Sequence, residues 1–282
     1  MKASISVADR PGRMPQIMFA GPLAPICDRL AALGYDGIDL FFPDPPAADT
    51  AAARAALEAS GLKAAMLSAQ GDLMAEGLYL NRPGQLSRLL AASRRHLAMC
   101  AELGARSIVG FFRGQHKDVP GGRAESLKCM AEGLAAYCGL AETFGVGVLL
   151  EPINRYEMDS IHTVAEALSL REQAGAPANL AILPDVFHMN IEESSLAAAV
   201  ALGGKHIGHV HFVDNTRAVP GLGCLALGSL AQCLGAAGYE GFLGMEAVPG
   251  PEPEAEARAG LATLRALLSR PALSGEEKSA PK

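Results

Sequence analysis

Leu33-Gly34-Tyr35-Asp36-Gly37 closes one apolar-periodic stretch, Ala24–Leu33, and opens a short strand-like run, Gly37–Phe41. A glycine just past the last helical turn ends a helix, because only a residue without a side chain takes up the left-handed backbone there at no steric cost. The phrase returns at Ala237-Gly238-Tyr239-Glu240-Gly241, ahead of the run Gly241–Glu246, and in shorter form at Leu103-Gly104-Ala105 and Phe144-Gly145-Val146. A helix end passing directly into a strand, repeated along the chain, is the punctuation of consecutive β/α units.

Outward from these points the alternation covers the whole sequence. Strand-like runs are expected at Ala3–Val7, Gly37–Phe41, Lys63–Ser68, Ser107–Phe111, Gly147–Glu151, Leu180–Asp185, Ile207–Phe212 and Gly241–Glu246. Helical patterns lie between them at Ala24–Leu33, Ala48–Ser60, Gln85–Leu103, Arg123–Phe144, Thr163–Ala174, Leu196–Leu202, Gly228–Ala237 and Glu254–Leu268. Units of this kind in a chain of 282 residues fit a single (β/α)8 barrel, which takes about 250 residues plus loops. The rival, an open doubly wound sheet, would carry a glycine-rich phosphate loop after the first strand, and Ser6-Val7-Ala8-Asp9-Arg10 is not one. Residues 1–270 are therefore assigned to one catalytic barrel and the polar stretch 271–282 to a flexible tail.

Charge and cysteine content narrow the partners. With 24 Lys+Arg against 30 Asp+Glu the formal charge is −6, so nothing favours nucleic acid or an anionic membrane. No apolar run reaches the ~20 residues of a membrane span, and Met1–Gly12 lacks the apolar segment of a signal peptide. The six cysteines are scattered without CxxC spacing, as expected for reduced thiols in a cytoplasmic protein.

Barrel enzymes place their chemistry at the C-terminal ends of the strands. The first four expected strands end in mostly neutral or apolar residues; the last four end in Glu151, Asp185, His211 and Glu246, in that order. Three carboxylates and an imidazole converging on one face would repel one another without a cation. As a donor set they suit a hard divalent ion, Mn²⁺, Mg²⁺ or Co²⁺, with Zn²⁺ also possible.

The residues around these four carry a resemblance. Glu151-Pro152-Ile153-Asn154-Arg155-Tyr156-Glu157, Asp185-Val186-Phe187-His188-Met189-Asn190-Ile191-Glu192-Glu193 and His209-Val210-His211-Phe212-Val213-Asp214-Asn215 resemble the sugar isomerase/epimerase family, and within it the D-tagatose and D-psicose (ketose) 3-epimerases. The resemblance is strong from Gly145 to Glu246 and weaker before it. It implies a xylose-isomerase-like TIM barrel, one divalent metal (Mn²⁺ first) and proton transfer beside a carbonyl through a cis-enediolate. It places metal ligands at Glu151, Asp185, His211 and Glu246, the acid/base pair at Glu151 and Glu246, and substrate contacts at His188, Arg217 and Glu157. Relatives of this kind are often homodimers or homotetramers acting on small carbohydrates. Pro184 before the aspartate, Cys224 where the family commonly has histidine, and Ser4, Ser6 and Asp9 in place of first-strand aromatics depart from the pattern. Met66 and Phe112 are expected to supply apolar wall instead.

The same proton abstraction serves a hydroxypyruvate-type aldose–ketose isomerase or a keto-inositol-type dehydratase. A catalytically silent barrel acting as a binding or partner subunit is the alternative of a different class; it would be expected to lose one of the glutamates, and both are present. A DNA-repair endonuclease on this barrel would need further histidines at the early strand ends and a basic surface. Elsewhere, His209 is expected to point away from the interior, His162 and His206 to be cap or surface residues, and Arg113 and Lys117 to lie in a solvated loop. Glu192 and Glu193 are expected to begin the next helix.

Overall fold

The computed structural model describes residues 1–269, so the tail expected at 271–282 falls outside the described residues. Among the described residues there are nine strands: β1 (Lys2–Ala8), β2 (Phe19–Ala20), β3 (Gly37–Phe41), β4 (Lys63–Ser68), β5 (Arg106–Val109), β6 (Val148–Leu150), β7 (Leu180–Ile182), β8 (Val210–His211) and β9 (Phe242–Met245). All pair in parallel, in the order β7-β6-β5-β4-β3-β1-β9-β8, with β2 a short addition beside β1. The bridges Ile182↔Ile207 and Asp185↔His211 join the two ends of that order and close the ring. The expected barrel is the observed one.

The helices are α1 (Leu23–Leu33), α2 (Thr50–Ser60), α3 (Gly71–Ala75), α4 (Leu86–Leu103), α5 (Gly122–Glu142), α6 (Val164–Gln173), α7 (Val186–Glu192), α8 (Leu196–Gly203), α9 (Leu227–Ala236) and α10 (Pro253–Leu268). At the C-terminus of α1, Gly34 stands at φ 99° and its N–H bonds the carbonyls of Leu30 and Ala31, the termination read from the sequence. Two short helices, α3 and α7, and the β2 addition were not anticipated. Each is too short for hydrophobic periodicity to register.

Alternation along the strands divides the core into two. Ala3, Ile5, Val7, Ile38, Leu40, Val148 and Leu150 face the helices, where Leu30, Leu57, Leu97 and Leu134 meet them. Ala8, Phe41, Met66, Ile108, Leu149 and Leu183 fill the inside of the barrel, so it is a packed interior and not a channel. Polar residues, Ser4, Ser6, Asp39 and His209 among them, interrupt that filling and are fully buried or nearly so. The last four strands are shorter than expected: β6 stops before Glu151 and β7 before Asp185. Both carboxylates therefore stand just past the ladder, at the mouth. No helix among the described residues is long and apolar enough to cross a membrane.

Candidate active site

Glu151, Asp185, His211 and Glu246 meet at the C-terminal mouth, each offering an atom within 4.8 Å of the others, and all four are buried. His211 Nδ1 lies 3.3 Å from Glu151 Oε1, 3.5 Å from Asp185 Oδ2 and 3.7 Å from Glu246 Oε2. Local structure aims each group. Asp185 caps α7, its Oδ1 accepting the N–H of Phe187 at 2.7 Å, which leaves Oδ2 free for the centre. Glu151 packs against Gly110, where a Cβ would stand 2.8 Å from its Oε2, so a larger residue at 110 would displace the carboxylate.

Asp185 Oδ2 and both nitrogens of His211 are buried with no hydrogen-bond partner in the chain. Orphaned buried donors and acceptors are costly; Asp185 Oδ2 and His211 Nδ1 converge on one point among carboxylates, while His211 Nε2 turns the other way, toward Asp39. That is the chemistry of a site for a hard divalent cation, and the four residues fit one.

The charges shift one another. Burial pushes the Glu246 carboxyl up to about 7, against the opposing pull of His211 and Arg217. Burial alone would lower His211, but Glu246, Asp185 and Glu151 outweigh it and hold its pKa well above the ordinary imidazole value. For Asp185 burial is likewise overcome, by His188, His211 and Arg217, and its pKa falls.

Arg217 reaches the centre from the loop after β8. Its Nη2 donates to Glu246 Oε2 in a short ion pair and stands 3.5 Å from Asp185 Oδ2; its Nη1 is 3.5 Å from Glu157 Oε1. The guanidinium also lies over the Phe187 ring at 4.8 Å. The backbone at Arg217 is left-handed, φ 60°, a strained state for a side chain of this size. Asp214 holds it there: the carboxylate accepts N–H groups from Asn215, Gly221 and Leu225 and ties the loop together.

His188, on α7, faces the same centre, its Nε2 3.8 Å from Asp185 Oδ2. Asn154 fixes the ring. Its Nδ2 donates to Glu157 Oε1 at 2.9 Å and to His188 Nδ1 at 2.7 Å, so Nδ1 is an acceptor and the imidazole proton sits on Nε2, facing the centre. Asn154 was not among the residues singled out from the sequence, although it stands inside the quoted phrase beginning at Glu151. The contact that gives it a role crosses 34 residues of chain.

Four expectations need correction. His209 does not point away from the interior: residues two apart on a strand share a face, and its ring packs edge-on against His211 at 5.3 Å. Arg113 is not solvated; it is fully buried and donates to the carbonyls of Gly110, Glu151, Ser160 and Ile161, four acceptors from two loops. Burial pushes its pKa down to about 10, with the Glu151 charge opposing the fall. Glu192 ends α7 and pairs with Arg155, while Glu193 accepts the N–H of Val164 at the start of α6; neither begins a helix. Met66 lies in the filled barrel layer and does not line the cleft, whereas Phe112 does.

Beside the charged cluster the mouth holds a small cleft, lined also by Met14, Phe41, Met74, Ile108, Phe111 and Phe112. Gln16, Ser68 and Gln70 add polar groups.

Known proteins are similar to this chain in sequence and fold. A family model described as Xylose isomerase-like TIM barrel matches residues 27–267. A ketose 3-epimerase of Arthrobacter globiformis is 30% identical over 212 residues, 74% of this chain and 71% of that protein. A 3-dehydro-D-guloside 4-epimerase of Escherichia coli K12 is 34% identical over 203 residues, 69% of this chain and 74% of that protein. A solved D-psicose 3-epimerase structure, obtained in the presence of D-fructose, shares the fold with a TM-score of 0.79 at 20% identity, covering 96% of this chain and 100% of that one.

Proposed function

Because the chain belongs to the xylose isomerase-like TIM-barrel family, we propose that it is a carbohydrate epimerase or isomerase, and more narrowly a divalent-metal-dependent ketose 3-epimerase. The observation that supports this most is the meeting of two buried glutamates, Glu151 and Glu246, with Asp185 and His211 at the mouth of the barrel. A divalent ion held by these four residues, Mn²⁺ first for so oxygen-rich a donor set and Co²⁺, Mg²⁺ or Zn²⁺ behind it, would supply Lewis acidity toward a ketone and its neighbouring hydroxyl.

The chain's own groups then divide the work. One glutamate removes the proton from the carbon beside the ketone and the other returns a proton to the opposite face, so the centre inverts through a cis-enediolate. His188, with its proton on Nε2, and Arg217, a fixed cation, would hold the carbonyl end and the negative charge that develops there; their contacts beside Asp185 support these roles. Glu157 holds both of them in place, through Asn154 and directly. The apolar wall of the cleft excludes water from the reacting centre. The absence of disulfides among the described cysteines fits a cytoplasmic setting.

A second reading is favoured by the similarity to the 3-dehydro-D-guloside 4-epimerase, which covers a share of the chain comparable to that of the ketose 3-epimerase. In it the same pair inverts a carbon beside the ketone of a keto-glycoside. Solvent deuterium incorporation separates the two. With Mn²⁺-loaded protein and a panel of ketoses, ketose phosphates, 3-keto-glycosides and hydroxypyruvate, the first reading expects label at C3 of a free ketose, lost on adding chelator. Label at C4 of a keto-glycoside would establish the second, and label at C1 an isomerase. A panel without exchange would remove both epimerase readings and favour a dehydratase or a silent barrel.

A further inference from the structure

Below the charged cluster, Asp39 and His209 are buried inside the barrel, where branched aliphatic side chains usually fill the space. Asp39 Oδ1 accepts from Ser4 Oγ at 3.0 Å, and Oδ2 lies 3.2 Å from His209 Nε2 and 3.9 Å from His211 Nε2. The His209 ring meets the His211 ring edge-on, at 88°. Room for this group comes from Gly244, where a Cβ would stand 1.9 Å from Asp39 Oδ2 and 2.8 Å from His209 Nε2. Nothing in the proton-transfer chemistry uses either side chain.

We infer that Asp39, with His209, is a positioning group for His211: the carboxylate faces the Nε2 side of the ring and the neighbouring imidazole walls it, so that Nδ1 is aimed at Glu151, Asp185 and Glu246. The inference rests on the reading of those four residues as a cation site. An imidazole that gives Nδ1 to a cation is neutral and carries its proton on Nε2; a carboxylate 3.9 Å from that nitrogen, beyond hydrogen-bond reach, acts through its charge to favour this tautomer and strengthen the donor. Asp39 is the acid group that stands within 4 Å of His211 Nε2 among the described residues. The atoms of Asp39, His209 and His211 also lie close enough together to hold an ion themselves. His209 Nε2 is already engaged with Asp39, however, and the space is closed by the backbone at Gly244.

The test is the metal affinity of the full chain, stripped with chelator and titrated with Mn²⁺ in competition with a fluorescent chelator. Wild type is compared with Asp39→Asn, which keeps the shape and can still bond Ser4, and with Gly244→Ala, which displaces the group without altering any of the four residues at the mouth. The inference expects one ion per wild-type chain and a Kd weaker by about 10- to 100-fold in Asp39→Asn, with the unfolding temperature of the stripped protein little changed. A Co²⁺ absorption spectrum that differs between Asp39→Asn and wild type would mark an altered donor, which lost packing alone would not produce. An Asp39→Asn affinity within twofold of wild type overturns the inference and leaves the metal reading standing. Two ions per wild-type chain, one of them lost in Asp39→Asn, overturns it in favour of a second cation site. A wild-type chain that binds neither Mn²⁺ nor Co²⁺ overturns the metal reading itself. Should Gly244→Ala fail to fold, Asp39→Asn decides.

Discussion

The two halves of the barrel end differently. Strands β6 to β9 deliver Glu151, Asp185, His211 and Glu246 to the mouth, and the segments after them add His188 and Arg217. The loops and strand ends from β1 to β5 deliver Met14, Phe41, Met74, Ile108 and Phe112 to the lining of the cleft. One half concentrates charge that cannot be stable without mutual or external neutralisation; the other offers apolar surface with a few amides and hydroxyls. For the proposed reaction the difference is a division of labour. Groups that move protons need strong fields and fixed geometry, whereas groups that hold the rest of a substrate need shape and exclusion of water.

The sharpest way to break this comparison is to neutralise the charged half. Glu151→Gln and Glu246→Gln should each lower the rate of exchange at the reacting carbon by about 10³-fold or more, the upper range for removing a general acid or base. Steady-state rates on the substrate found by deuterium exchange check this. Near-wild-type turnover in either variant would refute the two-base assignment.

Arg113 joins the halves, because it stands in the loop after β5 and holds the backbone of Glu151. Arg113→Met should cost about 3 kcal/mol of stability, since it leaves the carbonyls of Glu151 and Ser160 without a donor. Denaturant melts measure the loss. A variant as stable as wild type would show that water replaces the guanidinium at no cost.

Titration sharpens the picture of the charged half in the metal-free protein. Glu246 is pushed up to about 7 by burial, and His211 well above its ordinary value by the surrounding carboxylates. A group whose folded pKa is raised stabilises the fold below its unfolded pKa, and that contribution is lost as pH rises through the folded value. The chelator-treated chain should therefore lose stability as pH climbs from about 4.5 through 7 and beyond. Asp185, whose pKa is lowered, acts oppositely and loses its contribution as pH falls below the usual aspartate range. A cation displaces the protons on Glu246 and His211, so apparent Mn²⁺ affinity should rise with pH across the same window. Unfolding temperatures with and without Mn²⁺ from pH 5 to about 8.5 test both slopes. Parallel curves would mean that no proton is exchanged for metal.

The smallest effect is expected on the apolar wall. Phe111 is partly exposed at the rim of the cleft, and Phe111→Ala should raise KM by roughly fivefold or less, about 1 kcal/mol of lost contact, with kcat within about twofold. Parallel falls in kcat and kcat/KM would place this wall in the chemistry itself.

The sequence by itself determined the barrel, because the alternation of apolar runs and glycine-terminated helices is a local property that each unit repeats. It also determined which residues stand at the ends of the last four strands, and Glu151, Asp185, His211 and Glu246 follow from that position alone. Only the tertiary structure decided what surrounds them. Arg113 bonds to backbone carbonyls, which have no residue identity to read, and so looks from the sequence like any loop arginine. Asn154 and His188 meet across 34 residues, and Asp39 and His209 across 170. The face of His209 was legible in principle from the two-residue period of a strand; its partner was not. Strand ends are set by local pattern, whereas hydrogen bonds between distant segments exist only once the ring has closed.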